Sequence, residues 1–303
     1  MIPTPGPAEP VAGEGETDGT APTGRARVDL HTHTRRSDGV LEPRALVAAV
    51  AACGVELLAI TDHDSLAAYR ELRGGPLPPG LELLAGVELN THGPRSDLAE
   101  GELHILGYGV DPDDEAFEAL LAGEREERRR RFWAVVDRLR AVGLSVDGAI
   151  EPEIEEGRAL GRPSLARALV RAGHAVSVAD AFERILAPGR LGYLPRRRLR
   201  PEVAIQAIRR AGGAAVLAHF SQAVEEAALV RALQGEGLVG LEVYYPTFPV
   251  ETVAALAAFA RHEGLLATGG TDFHGDDGPY PVRHALLRVP PEVAEAVRAT
   301  LGR

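Results

Sequence analysis

Short apolar runs alternate with longer segments of helical period along most of this chain, and that alternation narrows its fold more than any other feature. From Arg25 the order is ARVDL, PRALVAAVAACG, LLAIT, SLAAYRELR and LELLAGVEL. Strand and helix in alternation imply βαβ units and a parallel sheet. The pattern breaks after HILGYGV at Asp111, where about Glu115 to Val142 reads as one long polar helix. Two further helices, RPSLARALVRAG and VADAFERIL, precede a Pro/Gly/Arg segment ending near Arg200. The alternation then resumes through PEVAIQAIRRAGG, AAVLAHF, EEAALVRALQGEG, LVGLEVYY, PVETVAALAAFARHEG and LLATGGTDFH. The pattern predicts one α/β barrel-like domain, about residues 25–110 plus 200–303, interrupted by a helical insertion over 111–199. Residues 1–24, rich in Pro, Gly, Thr and Glu without period, read as a disordered tail.

Composition limits the function. Aromatic residues make up only 5% of the chain, so Ala, Leu and Val must build a core of closely packed helices on a sheet. There is no lysine, so all 33 basic residues are arginine, and the formal net charge is −11. That charge argues against stable binding of duplex nucleic acid, which needs a basic surface to displace counterions. It leaves room for an anionic substrate, because bound metal ions supply positive charge locally. The single cysteine, Cys53, sits in an apolar helical stretch and reads as a small buried hydrophobe. With no disulfide framework, no apolar run near about 18 residues and no leader pattern, the expectation is a cytoplasmic protein with no membrane partner.

Five separated segments finish an apolar strand on metal-ligand residue types. VDLHTHTRRSDG offers His31, His33 and Asp38; AITDHD offers Asp62, His63 and Asp64; LAGVE offers Glu88. VLAH offers His219, and TGGTDFH offers Asp272 and His274. In barrel folds the C-terminal strand ends converge, so distant residues can meet. At period two, His31 and His33 point to one side of an extended chain, as do Asp272 and His274. Mixed imidazole and carboxylate donors suit Mn, Fe or Zn better than Mg or Ca. His104 of GELHILGYG brings the set to six of the ten histidines, although it precedes its apolar run instead of following it. His92, His174, His262 and His284 lie in loop or helical contexts and are expected at the surface.

In this order, HTHTRRSDG, TDHD, GVE, HILG, AHF and GGTDFHG resemble the PHP family of polymerase-and-histidinol-phosphatase-like phosphoesterases. Within it the chain looks closest to the branch of nucleoside 3′,5′-bisphosphate phosphatases and 5′ to 3′ RNA exonucleases, through GRPSLARALVRAG, AFERILAPGRLGYLP and AIRRAGGAAVLAH. The resemblance implies a distorted (β/α)7 barrel with an inserted helical subdomain, holding two or three divalent ions, Mn2+, Fe2+ or Zn2+. The ligands it implies are His31, His33, Asp38, His63, Glu88, His104, His219, Asp272 and His274. Asp62 would then orient His63 or move a proton.

The sequence also departs from that branch. After His219 bisphosphatase-like members continue with Pro-Gly-Arg-Tyr, whereas this chain has Phe220, Ser221, Gln222 and Ala223, with no basic residue for a second phosphate. Ser164 stands where a histidine is common. The remaining phosphate-binding candidates are Arg162, Arg190 and the run containing Arg197, since a planar guanidinium can bind phosphate through two hydrogen bonds. Arg128 to Arg131 follow Glu124, Glu126 and Glu127, so intrahelical pairing is expected for them. Two clustered ions can lower the pKa of water and stabilise charge on phosphate oxygens, with no protein nucleophile. The expected function is metal-dependent hydrolysis of a small phosphorylated substrate, a nucleotide or short RNA. The alternatives are a 5′ to 3′ oligoribonucleotide exonuclease, a histidinol-phosphate-type phosphatase and a non-catalytic PHP binding module. Amide hydrolysis on a similar barrel would usually involve a lysine ligand.

Overall fold

The computed structural model describes residues 26–92, 102–154, 158–194 and 199–302. The tail expected over residues 1–24 and the run containing Arg197 lie outside the described residues.

Seven strands form one sheet in chain order: β1 Val28–Asp29, β2 Leu57–Ile60, β3 Glu82–His92, β4 Glu102–Tyr108, β5 Ala214–Leu217, β6 Leu238–Tyr244 and β7 Leu266–Gly269. Strands β1 to β3 are parallel, as are β5 to β7. The all-parallel expectation is corrected at β4, which runs antiparallel to both neighbours. The physical reason is length: nine residues lie between His92 and Glu102, fewer than the roughly dozen that a parallel crossover needs. Past the strand ends, Leu30 N donates to Gly269 O at 3.1 Å and Thr32 bridges Phe273, bringing the first strand against the last. The result is a distorted seven-stranded barrel.

Helices α1 Pro43–Ala52 and α2 Ala67–Leu72 follow β1 and β2. Leu46, Val50 and the buried Cys53 pack with Leu58, Ile60 and Tyr280, as the apolar run implied. After β4 the chain enters α3 Glu115–Ala141, capped by Asp114, whose carboxylate accepts from Phe117 N at 2.7 Å. The first half of α3 places Phe117 and Leu121 in the barrel core. Its second half places Phe132, Val135, Val136 and Leu139 in a separate cluster with Leu165, Leu169 and Ile185. That cluster also draws on α4 Arg162–Arg171, α5 Val178–Ala181 and the π-turn Phe182–Leu186. The chain re-enters the sheet through α6 Pro201–Arg210, and α7 Ala227–Glu236, α8 Val250–Glu263, α9 Tyr280–His284 and α10 Glu292–Thr300 complete the barrel's cover. Among the described residues no helix is long and apolar enough to cross a membrane.

Of the four histidines expected at the surface, His262 is exposed and His92 and His174 are half-buried. His284 is a correction: it is buried, stacks on Tyr280 at 5.5 Å and lies 2.9 Å from Ala26 O through Nε2.

Candidate metal centre

The nine candidate ligands meet at one rim of the barrel. His31 and His33 leave the end of β1, Asp38 follows in the next turn, His63 lies past β2 and Glu88 lies on β3. His219, Asp272 and His274 follow β5 and β7, while His104 sits near the start of β4. Because β4 is reversed, its start shares the rim with the ends of the other strands. The three described non-glycine residues in the left-handed region, Asp64, His219 and Asp272, all stand at this rim, with φ of 51°, 32° and 50°. Such conformations cost about 1–3 kcal/mol each and persist where the surroundings over-determine them. Close approach also explains two glycines. A Cβ on Gly270 would stand 2.4 Å from His31 N, and one on Gly161 would stand 2.8 Å from Asp38 Oδ2.

Glu88 lies at the middle. Its Oε2 is 3.3 Å from His31 Nε2, 3.2 Å from His33 Nε2 and 3.1 Å from His63 Nδ1. Its Oε1 is 2.6 Å from His104 Nδ1 and 3.4 Å from His219 Nε2. Asp272 Oδ1 faces the same two rings as Oε2, 3.3 Å from His31 Nε2 and 3.2 Å from His33 Nε2. Asp38 stands 3.3 Å from His274 Nε2 and 3.6 Å from His63 Nε2. Three overlapping groups have ligand atoms within 4.8 Å of one another: His33, Asp38, His63 and His274; His31, His33 and Asp272; His31, Glu88 and His219.

These donors fit divalent ions. His31 Nε2, His33 Nε2, Asp38 Oδ1 and His63 Nδ1 are buried with no hydrogen-bond partner, an arrangement that is costly unless a cation satisfies it. Burial opposes the charge on Asp38, Glu88 and Asp272, yet the surrounding histidines outweigh it and hold all three well below the usual carboxylate range. Burial likewise opposes a proton on His31, and Glu242, Asp272 and Glu88 overcome it. His274 is raised to about 10, because Asp38 and Asp272 outweigh its burial. His63 is lowered well below its ordinary value by burial, with Arg128 adding to the effect.

Supporting residues tie the ligands down. Glu242 on β6 lies 3.0 Å from His31 Nδ1 and accepts from His219 N at 2.8 Å. Asp29 accepts from Thr271 N and Oγ1 and from Tyr280 OH, joining the ends of β1 and β7. Neither stands among the residues expected from the strand ends, although an acid inside the apolar runs ARVDL and LVGLEVYY is an available signal. Asp62 departs from its expected contact with His63. It accepts from Thr34 N at 2.7 Å, Thr34 Oγ1 at 2.6 Å and Ser37 Oγ at 2.5 Å, and Ser37 Oγ stands 3.5 Å from His33 Nδ1. Its geometry steadies the loop from His33 to Asp38.

The arginines divide differently from expectation. Arg130 pairs with Glu127 within α3, as the charge pattern implied. Arg128 does not: it is buried, its Nε donates to Asp64 Oδ2 at 2.5 Å and its NH2 donates to Asn90 Oδ1. Asn90 Nδ2 in turn meets His104 Nε2 at 2.5 Å. Arg128, Arg131 and Arg162 line a cavity of about 180 Å3 together with ligand residues of the rim. Arg162 donates to Glu102 at 3.0 Å. Burial, with Arg128 and Arg162 nearby, pushes Arg131 down to about 10. Arg190 is exposed and is not among the residues lining this cavity.

A barrel rim that gathers six histidines and three carboxylates around unsatisfied nitrogens defines a metal-dependent hydrolase. Residues 29–158 match the PHP domain. The 5′-3′ exoribonuclease Rnm of Escherichia coli K12 is 36% identical over 254 residues, covering 81% of this chain and 84% of that protein. The 3′,5′-nucleoside bisphosphate phosphatase of Chromobacterium violaceum is 33% identical over 259 residues, covering 82% and 87%. A solved structure from Bifidobacterium adolescentis, described as a metal-dependent phosphoesterase, superposes with a TM-score of 0.79 at 29% identity, covering 94% of this chain and 100% of that one. The chain belongs to the PHP family, and its enzymatic class is metal-dependent phosphoesterase.

Proposed function

We propose that this enzyme removes a phosphate from a nucleotide carrying a second phosphate, of the nucleoside 3′,5′-bisphosphate kind. The observation that carries this is the placement of Arg131 and Arg162 beside the candidate ligands in one cavity. Arg131 is a half-buried cation near two other arginines, and its hydrogen bond to Leu194 O is a long one, 3.4 Å. An anionic group there would relieve the mutual repulsion and gain charge-assisted hydrogen bonds. One phosphate would lie over the ligand cluster and the other against these guanidinium groups.

Two or three divalent ions, Mn2+, Fe2+ or Zn2+, fit the nine donors, with Glu88 placed to serve more than one of them. Bound ions would supply an activated water near neutral pH and offset charge on the phosphate oxygens. The chain's own contribution is orientation. Glu242 fixes the ring of His31, Asp62 fixes the His33 loop, and the Arg128–Asp64 pair anchors α3 beside His104 through Asn90. In this reading residues 111–199 form the cap that sets substrate choice, and the enzyme works in the cytoplasm.

The likeness to a 5′-3′ exoribonuclease supports a second substrate of the same chemistry, a 5′-phosphorylated short RNA. One assay series separates them: phosphate and nucleotide release from adenosine 3′,5′-bisphosphate, each adenosine monophosphate, histidinol phosphate and a 5′-phosphorylated oligoribonucleotide. A higher kcat/KM for histidinol phosphate than for either nucleotide substrate would overturn the proposal.

A further inference from the structure

A second cavity, of about 310 Å3, adjoins the first and shares Pro163, Phe182, Asp272 and His274 with it. We propose that this cavity is the nucleobase pocket, with Phe182 of the cap and Tyr245 of the barrel as its stacking surfaces; the proposal rests on the nucleotide reading above.

Phe182 opens a π-turn directly after α5, closed by Ala187 N donating to Phe182 O at 2.8 Å. Such turns are uncommon and recur at functional sites. Here the half-buried Phe182 lines both cavities at once, at the seam where a sugar would join base to phosphate.

Tyr245 follows β6, and its hydroxyl is committed, donating to Asp272 Oδ2 at 2.8 Å. What Tyr245 offers the cavity is its ring. Arg283, also in the cavity wall, lies 5.9 Å from the centre of that ring and is fixed by Nε donating to Thr271 O at 2.9 Å.

The charges on the wall select against another phosphate. Asp276 and Asp277 both line the cavity; Asp276 is held by Arg167 at 2.9 Å, and Asp277 is exposed at the edge. A flat, uncharged group with polar edges suits aromatic walls beside three carboxylates, Asp272 included, and one guanidinium. The base of a nucleotide has that chemistry, and aromatic rings bind bases with little regard to sequence.

The test compares kcat/KM for adenosine 3′,5′-bisphosphate with that for its analogue lacking the base, in the wild type, Phe182→Ala and Phe182→Trp. The wild type should favour the nucleoside compound by roughly tenfold to a hundredfold, mainly through KM. Phe182→Ala should abolish that preference, lowering kcat/KM for the nucleoside compound far more than for the baseless one, and Phe182→Trp should retain it. Equal wild-type rates on the two compounds, or a Phe182→Ala loss shared by both, would overturn the pocket. Binding of adenosine 5′-monophosphate against ribose 5-phosphate separates this from failure of the phosphatase reading. A wild-type preference for the nucleotide that vanishes in Phe182→Ala supports the pocket even where the bisphosphate is not a substrate. No such preference overturns the pocket even where the bisphosphate is hydrolysed.

Discussion

Glu242 Oε1 lies 3.0 Å from His31 Nδ1, on the side of the ring opposite the nitrogen that faces Glu88 and Asp272. A carboxylate there fixes the tautomer that presents a bare Nε2 to an ion and raises its basicity. Glu242→Gln should therefore weaken metal binding by roughly 10–100-fold while the barrel stays folded. Metal-competition titration with circular dichroism on the same sample checks this. Unchanged affinity would reduce Glu242 to a structural role.

Glu88 should matter to more than one ion, because its two oxygens face different histidines. Elemental analysis of active enzyme should give more than one transition metal per chain. Glu88→Gln should lower that number by more than one while leaving the nine-residue cluster otherwise intact. A wild-type content of one ion or fewer would sink the multinuclear arrangement.

Proton competition should make metal binding steeply dependent on pH. In the metal-free chain His274 is raised to about 10 from an ordinary 6.5, so at neutral pH an ion must displace its proton. Apparent metal affinity should rise with pH until His274 loses its proton at about 10, with protons released to buffer. For the metal-free fold the sign is opposite. The stability that protonated His274 contributes is complete below 6.5 and is lost as pH rises through about 10. The lowered Asp38, Glu88 and Asp272 contribute above their ordinary values of 3.8, 4.5 and 3.8, and lose that contribution as pH falls through their folded values. Calorimetric titration in two buffers of different ionisation heat checks the proton release; a heat independent of buffer would contradict it.

Asp62→Asn should act through the loop that carries His33. It replaces one acceptor among three hydrogen bonds from Thr34 and Ser37, in a site where burial raises the acid's pKa despite His33 and those partners. The expected outcome is about 1–3 kcal/mol of lost stability, seen as a lower denaturation midpoint, with metal affinity reduced alongside. Loss of activity with both properties unchanged would instead favour a direct proton-moving role.

The ligand cluster was legible because strand period and strand end are local properties, and a barrel brings such ends together whatever lies between them. His104 is the weak member for a topological reason: β4 runs backwards, so this candidate ligand precedes the apolar run. Arg128 was misassigned because its neighbours along α3 supply nearby acids, while its partner Asp64 is 64 residues away. No local charge pattern encodes that contact. Glu242 was overlooked because a single acid in LVGLEVYY leaves the strand pattern intact, and only the folded sheet reveals His31 beyond it. His284 faces inward because α9 closes over the residues leading into β1, a placement set by tertiary packing.

A second phosphate needs positive charge away from the candidate ligands. Phe220 to Ala223 supply no charge after His219, and taken alone those residues imply at most a modest preference for a bisphosphate. The cavity changes the expectation, since Arg131 and Arg162 line it from α3 and α4 instead. Losing one charge-assisted hydrogen bond from arginine costs about 1.5–3 kcal/mol, or roughly tenfold to a hundredfold in affinity. Two such residues should give adenosine 3′,5′-bisphosphate at least about a hundredfold higher kcat/KM than adenosine 3′-monophosphate. Arg131→Ala and Arg162→Ala should each cut that ratio by about tenfold or more, acting on the bisphosphate and leaving metal content unchanged. Arg162 starts from an existing pair with Glu102, so part of its gain is offset and its variant should show the smaller loss. A wild-type ratio under about tenfold that neither substitution moves would place the second phosphate elsewhere, and with it the reason this cavity carries three arginines.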